Sequence, residues 1–174
     1  MPKVNNRKRM ERMQQPSAHL KTPVGRVVVT AQDGAITRLR WQETPAEPAQ
    51  APAGDAATEE VLSRAVAQLR AYFSGELEAF SLPLDVAGSA YQQAVCAEIA
   101  AIPFGETRTY GQLAQTLGSS AQAVGNACGA NPIPIIIPCH RVLGGSGLGG
   151  FSGQGGVETK VSLLRHEGAA GLLI

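Results

Sequence analysis

Ile135-Ile136-Ile137 followed by Pro138-Cys139-His140-Arg141-Val142 constrains this chain more than any other segment. Three consecutive isoleucines have to be buried, and the proline behind them fixes the backbone and ends whatever extended segment they form. The residues that follow are therefore held rigidly at the end of a buried piece of chain, and they place a thiol next to an imidazole. The thiolate is the reactive form of cysteine, and a free cysteine has a pKa of about 8.5, so an activated one needs basic or electropositive surroundings. Two readings are open on this run alone. Cys139 is either a nucleophile with its base or a small buried hydrophobe, as most free cysteines are.

With 174 residues, 44% of them apolar and 17% charged, the chain can build a substantial core in one domain or in a small domain attached to a mid-sized one. No apolar run is long enough to span a membrane, and the polar, basic start of the chain lacks the apolar core of a secretory signal. Cys96, Cys128 and Cys139 are odd in number and unpaired in spacing, which points to a reducing cytoplasm and away from a disulfide scaffold. With His19, His140 and His166 as the only histidines and no CxxC or HxxxH spacing to hold zinc, no metal site is expected. Lys3, Arg7, Lys8, Arg9 and Arg12 against Glu11 give the first dozen residues a net charge of +4 in a chain of net +1. That leader suits either phosphate contact or solvation.

Gly25–Ala31 and Ala35–Trp41, joined by Asp33-Gly34, read as a β-hairpin. Glu43–Asp55 reads as a loop, and Thr58 as the cap of a helix running to about Ser74 and closed by Gly75. The helix presents Val61, Leu62, Ala65, Leu69, Tyr72 and Phe73 on one face, and Phe80–Leu84 reads as a short edge strand. From Gly88 onward, Ser89 caps a helix to about Ala101 with Val95 and Ile99 inward, and Pro103-Phe104-Gly105 breaks it. Thr109 caps a short helix, Gly118-Ser119-Ser120 turns the chain, and Ala121–Cys128 forms another, a pair with the form of a helix-turn-helix.

The second helix of this pair carries Ala121, Ala123, Gly125 and Ala127 and no arginine or lysine. Such a surface is unlike a major-groove reader. It fits close approach to a minor groove or tight packing on another helix. Gly144–Gly156 is a glycine-rich loop with many exposed backbone N–H groups but without the lysine of a phosphate-binding loop. A last helix over about Val157–His166 turns Val161, Leu163 and Leu164 inward.

Ile102-Pro103-x-Gly105 with Thr109-Tyr110, Ala123-Val124-Gly125, Asn131-Pro132, Pro138-Cys139-His140-Arg141-Val142, Ser152-Gly153 and Leu163-Leu164-x-His166-Glu167-Gly168 occur in this order. In this the chain resembles the O6-alkylguanine-DNA alkyltransferases, the direct-reversal DNA repair proteins; Thr22-Pro23-x-Gly25 and the hairpin resemble that family's N-terminal domain. The resemblance implies an α+β protein. A basic tail (1–17) precedes a small ribonuclease-H-like α/β domain (18–87) and a helical, winged-helix-like domain with a helix-turn-helix (88–174). It also implies a monomer whose partner is double-stranded DNA containing alkylated guanine, bound through the minor groove with the damaged base flipped out, because a protein thiol cannot reach an atom inside a stacked duplex.

The same resemblance assigns roles. Cys139 takes the alkyl group irreversibly and with no cofactor, His140 acts through a bridging water as its base, and Glu167 orients that imidazole. Asn131 ties the turn ahead of the active segment, and Tyr110 donates to guanine N3 as the base leaves. The backbone around Val142 and Ser152 holds the base edge, Phe151 lines the alkyl pocket, and Arg141 is a buried ion-pair partner. Ala121, Gln122, Ala123, Gly125 and Arg108 face DNA.

Two positions depart from the family's pattern. Gln122 stands where an arginine usually fills the gap left by the flipped base, and Phe151 stands where tyrosine is common. The resemblance also admits a catalytically weak alkyltransferase-like module that recognises alkylated guanine and signals to other repair factors, although such relatives lack the cysteine. A cysteine hydrolase using Cys139, His140 and Glu167 is the remaining alternative, and it would turn over repeatedly.

Overall fold

A computed structural model describes residues 15–43 and 53–169. The basic leader lies outside these residues except for its last three positions, as does most of the loop after Glu43. Strands β1 (Ser17–Thr22), β2 (Gly25–Gln32) and β3 (Ala35–Trp41) form an antiparallel sheet in that order. The expected hairpin is β2–β3, with Val27 opposite Trp41 and Val29 opposite Leu39. Strand β1 is not among the elements expected from the sequence, and its first residue, Ser17, is the last of the expected leader. Leu20 is β1's one fully buried residue, so the strand lacks the apolar alternation that betrays its partners.

Helix α1 (Ala56–Phe73) covers one face of the sheet with Val61, Leu62, Ala65 and Leu69. Its cap is Asp55, whose carboxylate accepts from the Thr58 N–H at 2.8 Å, and not Thr58 as expected. An anionic cap complements the helix N-terminus better than a hydroxyl. Thr58 is buried instead, and its hydroxyl accepts from Gly34 N–H at 3.1 Å, fastening the helix to the β2–β3 turn. Phe80–Leu84 is not a strand. A single parallel bridge joins Leu84 to Ile36, with Ile36 N–H donating to Pro83 O at 2.9 Å, because a proline cannot donate to extend the ladder.

The second half is helical. Ser89 caps α2 (Ala90–Ala100) as expected. Strand β4 (Arg108–Thr109) leads into α3 (Tyr110–Leu117), which opens on a reciprocal Thr109–Gln112 capping box and stops at Gly118 in the left-handed conformation. Ser120 caps α4 (Ala121–Gly129). Together α3 and α4 are the helix-turn-helix. After a turn over 131–138 come a one-turn 3-10 helix (Cys139–Arg141), β5 (Val142–Leu143), which pairs in parallel with β4, and α5 (Val157–His166).

The core is continuous. It runs from Val27, Val29 and Leu69 through Tyr72 to Ile99, Leu113, Val124, Ile133 and Leu163, so the two domains share one buried cluster. Among the described residues no helix is long and apolar enough to cross a membrane.

Candidate active site

The active segment begins at the turn, and the isoleucines do not form a strand. Ile137 N–H donates to Ile133 O at 2.9 Å, and Ile135 sits at φ +72°, a conformation that β-branched residues rarely adopt. Two features of the sequence force this. Pro132 and Pro134 deny the ladder its donors. Asn131 bonds the backbone with both ends of its amide, accepting from Ile133 N–H at 3.0 Å and donating to Ile137 O at 2.9 Å. The strained isoleucine is itself fully buried. Packing and the Asn131 clamp therefore hold a backbone that costs roughly 1–3 kcal/mol.

Pro138 then starts the 3-10 turn, in which successive side chains diverge by about 120°. This lets Cys139 and His140 point to different neighbours although they are adjacent in sequence. Cys139 is 6% exposed. Burial pushes its thiol up, while an Asn131 N–H and the Lys160 ammonium act in the opposite direction by favouring the thiolate. His140 is fully buried, and burial pushes its pKa down, against the pull of Glu167. Both groups are thus neutral at rest.

His140 Nε2 lies 2.7 Å from Glu167 Oε1. Arg141 grips the same carboxylate, Nε to Oε2 and Nη2 to Oε1, each at 2.9 Å, while its Nη1 donates to Ile102 O at 2.5 Å. The Tyr72 hydroxyl donates to Oε1 at 2.7 Å. Burial alone would raise the Glu167 carboxyl, but His140, Arg141 and Tyr72 together bring it down to about 2. An ionised Glu167 accepts a proton-bearing Nε2, which leaves Nδ1 with a lone pair. Among the described residues, Nδ1 of His140 is the one buried side-chain nitrogen or oxygen without a protein partner.

Tyr110, half-buried at the start of α3, makes no hydrogen bond through its hydroxyl among the described residues, and Gly149 leaves room beside that oxygen. Lys160 lies over its ring, with Nζ 5.8 Å from the centroid. Val142 is fully buried on β5. Phe151 turns its ring edge-on to Trp41 of the N-terminal sheet, 5.9 Å between centroids, and Ser152 is exposed beside it on the glycine-rich loop. Ala121, Gln122 and Arg108 are exposed, Ala123 and Gly125 are partly so, and Ala127 alone of the small residues on α4 is buried. Packing therefore accounts for one of the four small residues, and an open face remains.

The structure gathers Cys139, His140, Glu167 and Asn131 around one turn, and Lys160 links Tyr110 to it, its ammonium lying over the Tyr110 ring and donating to Val142 O. Gln122 and Arg108 lie on the outer surface. Two residues escape a reading of the sequence. Tyr72 is legible only as an apolar position of α1. Lys160 takes the inward place expected of Val161: fully buried, it donates from Nζ to Val142 O at 2.5 Å and Gly150 O at 3.0 Å. Two carbonyl acceptors on β5 and the loop let an ammonium replace an aliphatic side chain there. Neither acceptor can be foreseen from the helix itself.

Comparison with known proteins gives a consistent picture. Residues 17–86 match the family model described as 6-O-methylguanine DNA methyltransferase, ribonuclease-like domain, and residues 90–169 match its DNA binding domain. A methylated-DNA--protein-cysteine methyltransferase of Mycolicibacterium paratuberculosis is 42% identical over 149 residues, covering 84% of this chain and 88% of the relative. The constitutive enzyme of that name from Bacillus subtilis is 37% identical over 157 residues, covering 84% and 91%. Among solved structures, the Mycobacterium tuberculosis O6-methylguanine methyltransferase superposes with a TM-score of 0.73 at 40% identity, covering 87% of this chain and 92% of the other. A second structure of the protein from that organism, in complex with DNA, gives 0.73 at 41% identity, covering 86% and 91%.

Proposed function

Because this chain belongs to the 6-O-methylguanine DNA methyltransferase family, we propose that it repairs DNA by direct reversal, moving an alkyl group from O6 of guanine in a duplex onto Cys139, once per molecule. One observation carries the chemistry: next in sequence to the buried Cys139 stands a fully buried imidazole whose Nε2 is committed to Glu167 and whose Nδ1 has no protein partner among the described residues.

The thiol proton passes to Nδ1 of His140 through a bridging water, and Glu167, held ionised, stabilises the imidazolium that forms. The thiolate sulfur attacks the alkyl carbon, a C–S bond forms, and the C–O6 bond breaks with its electron pair left on O6. The Tyr110 hydroxyl gives its proton to guanine N3, and the imidazolium proton restores the phenol. The products are guanine and S-alkylcysteine. In water the same thiolate would be solvated and hard to distinguish from any other cysteine. Here burial keeps it protonated until a substrate is present.

Delivery falls to α4. Its exposed start and half-open Ala123 and Gly125 permit the helix to approach the sugar-phosphate wall of the minor groove, with Gln122 in the gap left by the flipped base and Arg108 near a phosphate. Val142 and Ser152 offer backbone to the base edge, and Phe151 bounds the alkyl pocket. We place the boundary between the two domains at residues 87 and 88, ahead of the Ser89 cap. With three free, buried cysteines the protein suits a reducing cytoplasm.

Stoichiometry tests the proposal. With excess O6-methylguanine duplex, the yield of repaired guanine should stop at one equivalent of protein, and Cys139→Ser should give none. Continued turnover would point to a hydrolase, and binding without transfer to a damage-recognition module.

A further inference from the structure

Glu167 receives a hydrogen bond from outside its own domain. Tyr72, near the C-terminal end of α1, is fully buried, and its hydroxyl donates to Oε1, the same oxygen that His140 and Arg141 Nη2 address. The ring is fixed by edge contacts to Phe73 and Phe104, centroids 5.0 and 6.1 Å away, and by Phe80 at 5.4 Å. His166 holds it from α5, with ring centroids 4.9 Å apart and Nε2 2.7 Å from Tyr72 O. Packing this complete is not needed to fill space with a tyrosine, since phenylalanine would serve. The hydroxyl is the part with a specific partner.

We propose that Tyr72 is a positioning residue for alkyl transfer, its hydroxyl holding Glu167 Oε1 from the N-terminal domain so that the carboxylate orients His140 without drawing the imidazole into its protonated form. The inference rests on the reading of His140 as the base. An O–H donated to a carboxylate oxygen withdraws electron density from it, and the oxygen then pulls less on the His140 Nε2–H. Burial and the adjacent carboxylate push the Tyr72 phenol far above its ordinary value of 10, so it remains a donor throughout the range in which the protein works. The other charged or titratable groups around this centre are Arg141 from the 3-10 turn, which also holds Glu167, and His166 and Lys160 from α5, with the Cys139 thiol beyond His140.

Tyr72→Phe tests this, because it removes one oxygen and keeps the ring. Relieved of that donor, Oε1 binds the imidazolium more strongly and the His140 pKa rises. The acidic limb of the single-turnover rate on methylated duplex should move up by about half a pH unit or more. At neutral pH, the proton resonance of the His140 Nε2–H should move downfield. A fluorinated tyrosine placed at 72 is a stronger donor and should shift both markers the other way; it also carries the test if Tyr72→Phe does not fold. A uniform fall in rate at every pH, with limb and resonance unmoved, overturns the proposal and makes the hydroxyl merely structural. Failure of the parent protein to alkylate Cys139 would count against the function itself, whereas transfer by the parent with unmoved markers in both variants would overturn this inference alone.

Discussion

Gln122 is the exposed second residue of α4, at the position we propose enters the base stack. Glutamine can hydrogen-bond to the orphaned cytosine but has neither the charge nor the flat guanidinium that stacks well there. Gln122→Arg should therefore quicken repair of methylated duplex by about tenfold, worth roughly 1.4 kcal/mol in the transition state, while reaction with a free alkylguanine base stays unchanged. Equal rates on duplex would show that the side chain does not limit flipping. Asn131 raises a different question, because its role is structural in the first instance. Asn131→Ala strands the Ile133 N–H in the core and leaves the Ile137 carbonyl with the Cys139 N–H as its remaining donor. Chemical denaturation should show a loss of about 1–3 kcal/mol. At the same scale lies the limit of what the sequence discloses. Cys139, His140 and Asn131 stand within nine residues of one another and form a recognisable pattern. Tyr72 meets Glu167 across 95 residues, and Lys160 meets the Val142 carbonyl across 18, so neither has a local signature.

Among the elements, those whose ends are decided by neighbouring residues could be read in advance. Ser89 and Thr109 cap the helices expected of them because a hydroxyl three residues ahead of a free N–H is a purely local device. The start of α1 was decided between two nearby candidates, and the charged Asp55 displaced Thr58. Strand β1 depends on a partner elsewhere, β2, whereas the turn over 131–138 is set by its own prolines and Asn131 and held by burial of Ile135. Helix α4 also separates stability from function. A Cβ added at Gly125 would meet nothing nearer than a Tyr110 ring carbon at 4.0 Å. Gly125→Ala should therefore stabilise the free protein by about 0.5–1 kcal/mol, since glycine in a helix interior is unfavourable. The same methyl should weaken duplex binding if this face lies against the sugar-phosphate wall. A raised melting temperature with unchanged DNA affinity would remove α4's small residues from the interface.

For the whole molecule, the buried relay links the two domains and makes the fold sensitive to acid. The unfolded chain protonates His140 near its ordinary 6.5, but the folded protein holds that pKa lower, so stability should begin to fall as pH drops below about 6.5. Glu167 adds a second loss that begins near its ordinary 4.5 and continues towards about 2. Thermal unfolding followed from pH 7 downward should show this decline, and a midpoint independent of pH across that range would contradict the buried, ionised Glu167. The central claim is chemical, however, and is tested most directly at one atom. Incubate the protein with an O6-methylguanine duplex, digest it, and weigh the peptide that contains Cys139. A single methyl increment on that cysteine, absent from Cys96 and Cys128 and from protein given unmodified duplex, is the expected result. A folded protein that binds the duplex and leaves Cys139 unmodified would contradict it.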